Sequence, residues 1–211
     1  MRFPLLAALA ALAALATPAP AHATSPSANP DAETALQRAV NVLLDSSFRF
    51  DYSFWPSPDS TGFTTGSGYG EMSTTTWHYT VAMDPPGAAD GTWIIKDGAW
   101  YQDGEVASPD FTFMGVAGVI TPFASYKAMS AAPGFVPLEH VGTAVIDGLS
   151  AEHYVFAAED MPVYGTAVYE AYLSASADGF ERIILVFSPD GGQASRVTFS
   201  HIGEHMEVSA P

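Results

Sequence analysis

Cysteine is absent from all 211 residues. Its absence excludes thiolate nucleophiles, disulfide staples, thiolate zinc sites and a lipid-modified N-terminal cysteine. Positive charge is nearly absent too: 7 Lys+Arg stand against 23 Asp+Glu, a formal net charge of −16. Every acid lies at or after Asp31, and Arg2 sits at the extreme N-terminus. Setting Arg2 aside leaves 6 bases against the 23 acids, a net −17. That balance excludes nucleic acid, whose phosphates need a lysine- and arginine-rich face. It equally excludes docking on anionic head groups through a basic patch. No apolar run reaches the length of a membrane span: the longest, Leu5 to Ala16, is only about a dozen residues. Yet 48% of residues are hydrophobic and 14% charged, so the chain is not a disordered acidic one.

The N-terminus reads as an address. Met1-Arg2 supplies a positive start, the Leu/Ala run follows, and Ala21-His22-Ala23 fits the small-x-small rule for signal-peptide cleavage. The expected organisation is a signal peptide over 1–23, a polar linker over 24–30 and one domain over 31–211. Cleavage after Ala23 would leave 188 of the 211 residues, exported to a bacterial periplasm or the medium and soluble.

Beyond the linker, Asp31 and Glu33 suit a first helical turn. Leu36, Val40, Leu43 and Leu44 recur at helical spacing, so a helix is expected over about 31–46. The period then changes to two. Phe48, Phe50, Tyr52 and Phe54 alternate with Arg49, Asp51 and Ser53, and Trp77, Tyr79, Val81 and Met83 with His78, Thr80 and Ala82. Between these strands, 56–70 is rich in Pro, Ser, Thr and Gly and reads as a loop. Its Gly66-Ser67-Gly68-Tyr69-Gly70 is expected to be a flexible lid.

Three Asp-Gly pairs mark hairpins. A turn at Asp97-Gly98 puts Trp93, Ile95 and Trp100 on one face and Ile94 and Tyr101 on the other. A turn at Asp147-Gly148 pairs 138–146 with 149–157. A turn at Asp178-Gly179 sets Leu173 opposite Ile184 and Tyr172 opposite Leu185. Pro189-Asp190-Gly191-Gly192 makes a further turn into a last strand running to about Val208. Residues 112–131 read as one or two short helices. The total is one helix, about four strands, a helical insert and about six strands in an antiparallel sheet. Ile183, Leu185 and Phe187 on one face and Ile184 and Val186 on the other call for shielding on both faces.

Three sets of polar residues offer chemistry. His201-Ile-Gly-Glu204-His205 matches the H-x-x-E-H zinc-peptidase signature. That motif needs a helix, and Gly203 and the flanking alternation argue for a turn with surface histidines instead. In a strand the two histidines would stand about 13 Å apart. In the 147–148 hairpin, His140 would lie opposite 155 with His153 its diagonal same-face neighbour, while Glu139 and Glu152 face the other way. Carboxylates abound without a pair in contrasting environments. No G-x-S-x-G, P-loop or dinucleotide fingerprint appears. No catalytic residue, metal site or cofactor is therefore expected.

The helix and aromatic strand from Ala35 to Phe54, the segment Trp93 to Tyr101 and the run His140 to Tyr154 carry a family likeness. So do the hairpin Tyr172 to Arg182 and the closing strand. In this order they resemble the LolA-like periplasmic lipoprotein carriers, in particular the LppX/LprG-type proteins. The resemblance implies an α+β fold: an antiparallel half-barrel of about 10–11 strands covered by the N-terminal helix and the helical insert. It implies an acyl chain or other lipid held between sheet and helices, by a carrier or presenter without catalytic residues. Phe50, Tyr52, Phe54, Trp77, Tyr79, Trp93, Trp100 and Phe187 are the large groups available to line such a cavity. The alternative on the same fold is an envelope regulatory module that senses lipid and captures a protein partner. Expected partners are a lipid or acyl chain and, at most, envelope membrane proteins or lipoproteins. Membrane contact is expected to be transient, nucleic acid is excluded, and the protein is expected to be a monomer. Without a cysteine the chain departs from the lipidated members: it has no lipid tether of its own.

Overall fold

The structure, a computed structural model, describes residues 30–54, 63–72, 76–108, 119–130, 134–161, 165–190 and 195–209. The expected signal peptide, the linker up to 29, the loop residues 56–62 and the start of the insert at 112–118 lie outside the described residues.

Helix α1 spans Pro30–Asp45, with Asp31 and Glu33 in its first turn, where they complement the helix dipole. It buries Ala32, Leu36, Ala39, Val40 and Leu43 along one stripe. Leu36 and Leu43 are almost wholly buried, and each contributes about 1.5–3 kcal/mol of apolar burial.

Eleven strands follow: β1 (Ser47–Phe54), β2 (Phe63–Glu71), β3 (Thr76–Asp84), β4 (Gly91–Lys96), β5 (Ala99–Gln102), β6 (Glu105–Val106), β7 (Phe135–Ile146), β8 (Leu149–Met161), β9 (Gly165–Ser176), β10 (Gly179–Pro189) and β11 (Ser195–Ser200). Between β6 and β7 come a helical segment α2 at 119–124 and the short helix α3, Tyr126–Met129. The strands form one antiparallel sheet in the order β6-β5-β4-β3-β2-β1-β11-β10-β9-β8-β7. Two meanders are thus joined where the first strand pairs with the last. The sheet does not close, because β6 and β7 remain its edges.

The Asp97-Gly98 hairpin has the expected register: Lys96 pairs with Ala99, Ile95 with Trp100, Ile94 with Tyr101 and Trp93 with Gln102. Asp97 and Gly98 both have positive φ, 53° and 78°, as a type I′ turn requires. Asp103 and Gly104 repeat that geometry and create β6, a strand the sequence reading missed.

Four expectations need correction. The stretch 63–70 is strand, not loop: β2 pairs along its whole length with β1 and β3. Its glycines alternate because the β3 carbonyl oxygens of Thr80, His78 and Thr76, each within 2.5 Å of where the corresponding Cβ would stand, and neighbouring aromatic residues leave no room. A Cβ on Gly66 would meet Tyr52 Oη at 2.6 Å, one on Gly68 would meet Tyr79 Cβ at 2.5 Å and one on Gly70 would meet Trp77 Cε3 at 2.6 Å. The third hairpin turns at Ala177-Asp178, with Gly179 pairing to Ser176. An irregularity between Phe180 and Arg182 then sets Leu173 opposite Ile183 and Tyr172 opposite Ile184. The β7–β8 ladder begins as expected at Ile146–Leu149, but bulges shift it, so that His140 pairs with Tyr154 and Glu139 with Val155. The last strand stops at Ser200, where His201 takes a left-handed φ of 51°. The backbone beyond is tied down differently, Lys96 Nζ donating to the Val208 carbonyl at 2.7 Å.

One sheet face carries the core. Phe48, Phe50 and Tyr52 of β1 stand beside Trp77 and Tyr79 of β3, Trp93 and Ile95 of β4, Val197 and Phe199 of β11, and Ile183 and Leu185 of β10. The other face is more polar, with Asp51, Thr198, Ser67, Thr80 and Thr92 in one register row. Its one large exception in that row, Ile184, is buried. The long edge strand β7 is blunted against stray pairing by Pro137, which has no N–H, and by its bulges.

Candidate ligand-binding face

All eight aromatics singled out from the sequence lie on the covered face. Phe50, Tyr52, Trp77, Tyr79 and Trp93 are buried within it, while Phe54, Trp100 and Phe187 are half-buried and pack against it. Period-two alternation puts them there, and the antiparallel registers line their rows up across the sheet. Six of them form an arc of two triplets across β1, β3, β4 and β5. Phe50 stacks beside Tyr52 at 6.0 Å between ring centroids and meets Trp77 edge-on at 5.7 Å. Tyr79 stacks on Trp93 at 6.4 Å, and Trp93 meets Trp100 edge-on at 6.4 Å. Two polar ends of this arc are satisfied by backbone: Tyr52 Oη donates to the Thr80 carbonyl at 3.2 Å and Trp93 Nε1 to the Ala89 carbonyl at 2.8 Å. Phe187 lies apart, on β10, 5.4 Å from Tyr169.

Phe187 belongs to a second aromatic group that the sequence reading passed over. Phe156 of β8 stacks on Tyr169 of β9 at 4.8 Å, and Phe123 of α2 stands edge-on to both, at 5.3 and 6.1 Å. Tyr126 of α3 meets Phe156 at 5.2 Å and Phe135 at 5.4 Å. The Tyr126 hydroxyl accepts the backbone N–H of Leu138 at 3.0 Å and so pins α3 to β7. The alternation of Tyr154 with Phe156, and of Tyr169 with Ala171 and Leu173, was the signal for these strands. The contribution of α2 and α3 had no such signal, because a short apolar insert does not declare which wall it covers.

The covered face is thus a layer of rings with α1 on it and α2–α3 beside it. Within it Phe48, Leu43, Phe199 and Ile183 are wholly buried. Two depressions on the described surface lie elsewhere. One is a 660 Å³ groove along the exposed side of α1, lined by Glu33, Gln37, Arg38, Asn41 and Lys127 among others. The other is a 360 Å³ cleft on the opposite sheet face.

The titratable groups sort into small separate sets. Because of the bulge, His140 and His153 face opposite sides of β8 and do not neighbour each other as expected. His140 stacks on Tyr154 at 4.9 Å and lies 2.5 Å from Glu152 Oε2, so Glu152 shares its side rather than facing away. Thr143 donates to the other oxygen of that carboxylate at 3.0 Å. Tyr154 is raised above the usual phenol range by burial and by the Glu152 charge. On the other face His153 stacks on Tyr172 at 4.2 Å and lies 2.9 Å from Glu170 Oε2, which also accepts from the Tyr172 hydroxyl at 2.8 Å. Burial, that hydrogen bond and the Glu170 charge push Tyr172 up to about 12. Residues 201–205 form a turn, with Gly203 at φ 84° and both histidines exposed. They present no pair of imidazoles on one helical face. No group of three or more His, Asp or Glu suited to a metal occurs among the described residues.

No family model matches the chain, and no curated protein does. Solved structures do. The Mycobacterium tuberculosis lipoprotein LppX superposes with a TM-score of 0.54 at 13% identity, over 86% of this chain and 100% of that one. LprF from Mycobacterium bovis superposes with a TM-score of 0.51 at 14% identity, over 88% of this chain and 98% of that one. The open antiparallel sheet of eleven strands among the described residues, with its helical cover, is the LppX-like half-barrel fold. No helix among the described residues is long and apolar enough to cross a membrane.

Proposed function

We propose that this chain is an exported carrier or presenter of an apolar ligand, held as acyl chain or other lipid between the sheet and its helices. The observation that carries this reading is the ring layer itself. One sheet of an open half-barrel presents two aromatic groups, and the helices rest on them as separate pieces rather than as strands of a closed wall. Phe50, Tyr52, Phe54, Trp77, Tyr79, Trp93, Trp100 and Phe187 line the site in this reading. Each buried methylene contributes about 0.8 kcal/mol, so a long acyl chain offsets the cost of parting the helices without polar recognition. The function is binding, not catalysis.

In the same reading residues 1–23 are a cleaved signal peptide and 31–211 a single domain, working as a monomer between envelope membranes. Their lipids or membrane proteins supply and receive the ligand. The absent cysteine leaves the carrier untethered, and the acidic excess keeps it from staying on anionic surfaces.

Tryptophan quenching tests the site. A stearate bearing a doxyl group is expected to quench the Trp77, Trp93 and Trp100 emission saturably. Unchanged emission at saturating stearate would remove the reading.

A further inference from the structure

In a chain this acidic, three of the few bases share one patch. Arg49 of β1 and Arg182 of β10 both pair across the sheet with Ser200 of β11, so all three side chains point to the face away from the core. Arg196, on β11 with Thr198 and Ser200, points the same way, and so does Asp51, which pairs with Thr198. Between them lies the 360 Å³ cleft, lined by Asp51, Ser53, Arg182, Arg196, Thr198 and Ser200 and closed by Asp147 from the β7–β8 turn.

The charges in this cleft are unevenly satisfied. Arg196 is occupied: it pairs with Asp147 and its Nε donates to Thr198 Oγ1 at 3.2 Å. Arg182 and Asp51 form no ion pair among the described residues. The buried Nε–H of Arg182 also lacks an acceptor there, a costly condition for a guanidinium. The cleft therefore offers one uncommitted cation and one uncommitted anion on either side of β11, with the hydroxyls of Ser53, Thr198 and Ser200 nearby.

We propose that this cleft binds a small zwitterion of the phosphoethanolamine type, separately from the apolar ligand. Arg182 and the hydroxyls receive the phosphate, and Asp51 receives the ammonium. A guanidinium fork suits phosphate oxygens. The hydroxyls of Ser53, Thr198 and Ser200 suit the tetrahedrally spread oxygens of a phosphate, monoester or head-group diester, better than the planar pair of a carboxylate. A simple anion leaves Asp51 unused and repelled, and a simple cation leaves Arg182 so.

Calorimetric titration of the full chain after signal removal tests this, with phosphoethanolamine, inorganic phosphate and phosphocholine as probes. Phosphoethanolamine should bind about threefold to fivefold more tightly than phosphate, as one partly exposed ion pair allows. Phosphocholine should lose that margin, because its quaternary ammonium cannot donate to Asp51. Asp51→Asn should equalise phosphoethanolamine and phosphate. Arg182→Gln should weaken both about tenfold or more, as loss of a charge-assisted hydrogen bond does. Arg182→Lys should retain part of the affinity, and all variants should keep doxyl-stearate quenching. Arg182→Lys and Asp51→Asn keep the test alive if Arg182→Gln does not fold. Phosphatidylcholine vesicles with and without phosphatidylethanolamine separate the sources. Preferential binding to the latter assigns the site to a lipid head group; binding of free phosphoethanolamine alone assigns it to a soluble molecule. Failure of phosphoethanolamine to bind in both forms overturns the proposal, as does a preference over phosphate that survives in Asp51→Asn.

Discussion

The phenol of Tyr52 occupies the place where a side chain at Gly66 would stand: a Cβ there would come within 2.6 Å of Tyr52 Oη. Gly70 repeats this under the Trp77 ring, while at Gly68 the His78 carbonyl oxygen and Tyr79 Cβ fill the space. The glycine strand β2 thus leaves room for the rings of Tyr52 and Trp77 and for the close approach of the β3 backbone. Gly68→Ala and Gly70→Ala should each destabilise the protein by about 1–3 kcal/mol, as overpacking does. Gly179→Ala, which meets nothing within 4 Å, should change stability by less than about 1 kcal/mol. Urea unfolding of the three variants checks the contrast.

Tyr126 holds α3 through one hydrogen bond, its hydroxyl accepting the Leu138 N–H at 3.0 Å. Tyr126→Phe keeps the ring contacts but orphans a buried donor, at a cost of about 1–3 kcal/mol. If the helical insert is a movable cover, the variant should also exchange a bound fatty acid faster than wild type. Stopped-flow displacement measures this. An unchanged exchange rate would assign α3 to static packing.

Tyr172 gives a pH signature. Its phenol is pushed up to about 12 in the folded protein by burial and by Glu170, from an ordinary 10.0. The folded state therefore holds that proton more tightly than the unfolded chain. The associated stability is full below pH 10 and is lost as the pH rises from 10 towards 12. Tyr172→Phe should flatten that part of the stability profile. Phenolate absorbance of the folded wild type should show a component titrating towards pH 12 that Tyr172→Phe removes, and Glu170→Gln should bring it down.

Trp100 closes the arc at β5, half-buried and edge-on to Trp93 at 6.4 Å. Because it is not fully enclosed, Trp100→Asp should fold yet place a carboxylate in the apolar layer. Fluorescent fatty-acid uptake should fall at least tenfold. Intact uptake would show that the ligand lies against another part of the sheet.

Much of this fold was legible in the sequence, for identifiable reasons. Leu36, Val40 and Leu43 at helical spacing made α1 plain. Asp97-Gly98 set the β4–β5 register, because a two-residue I′ turn leaves no freedom in pairing. The eight aromatics reached one face because alternation alone decides the side. What stayed hidden depends on neighbours distant in sequence. Glycines at 66, 68 and 70 look like a loop until the rings and the β3 backbone they accommodate are in place. The bulge that turns Glu152 toward His140 leaves no periodic mark. His201, with its left-handed φ, ended a strand that alternation alone would have extended. The Arg182–Asp51 cleft joins β10 to β1 across β11, a pairing of chain ends that no local pattern announces.

Native mass spectrometry of the protein purified gently from its own host tests the central claim most directly. A lipid-carrying protein should appear as the chain plus one lipid mass, and collisional activation should release that lipid. A clean ligand-free mass, together with no uptake of a fluorescent fatty acid, would contradict it.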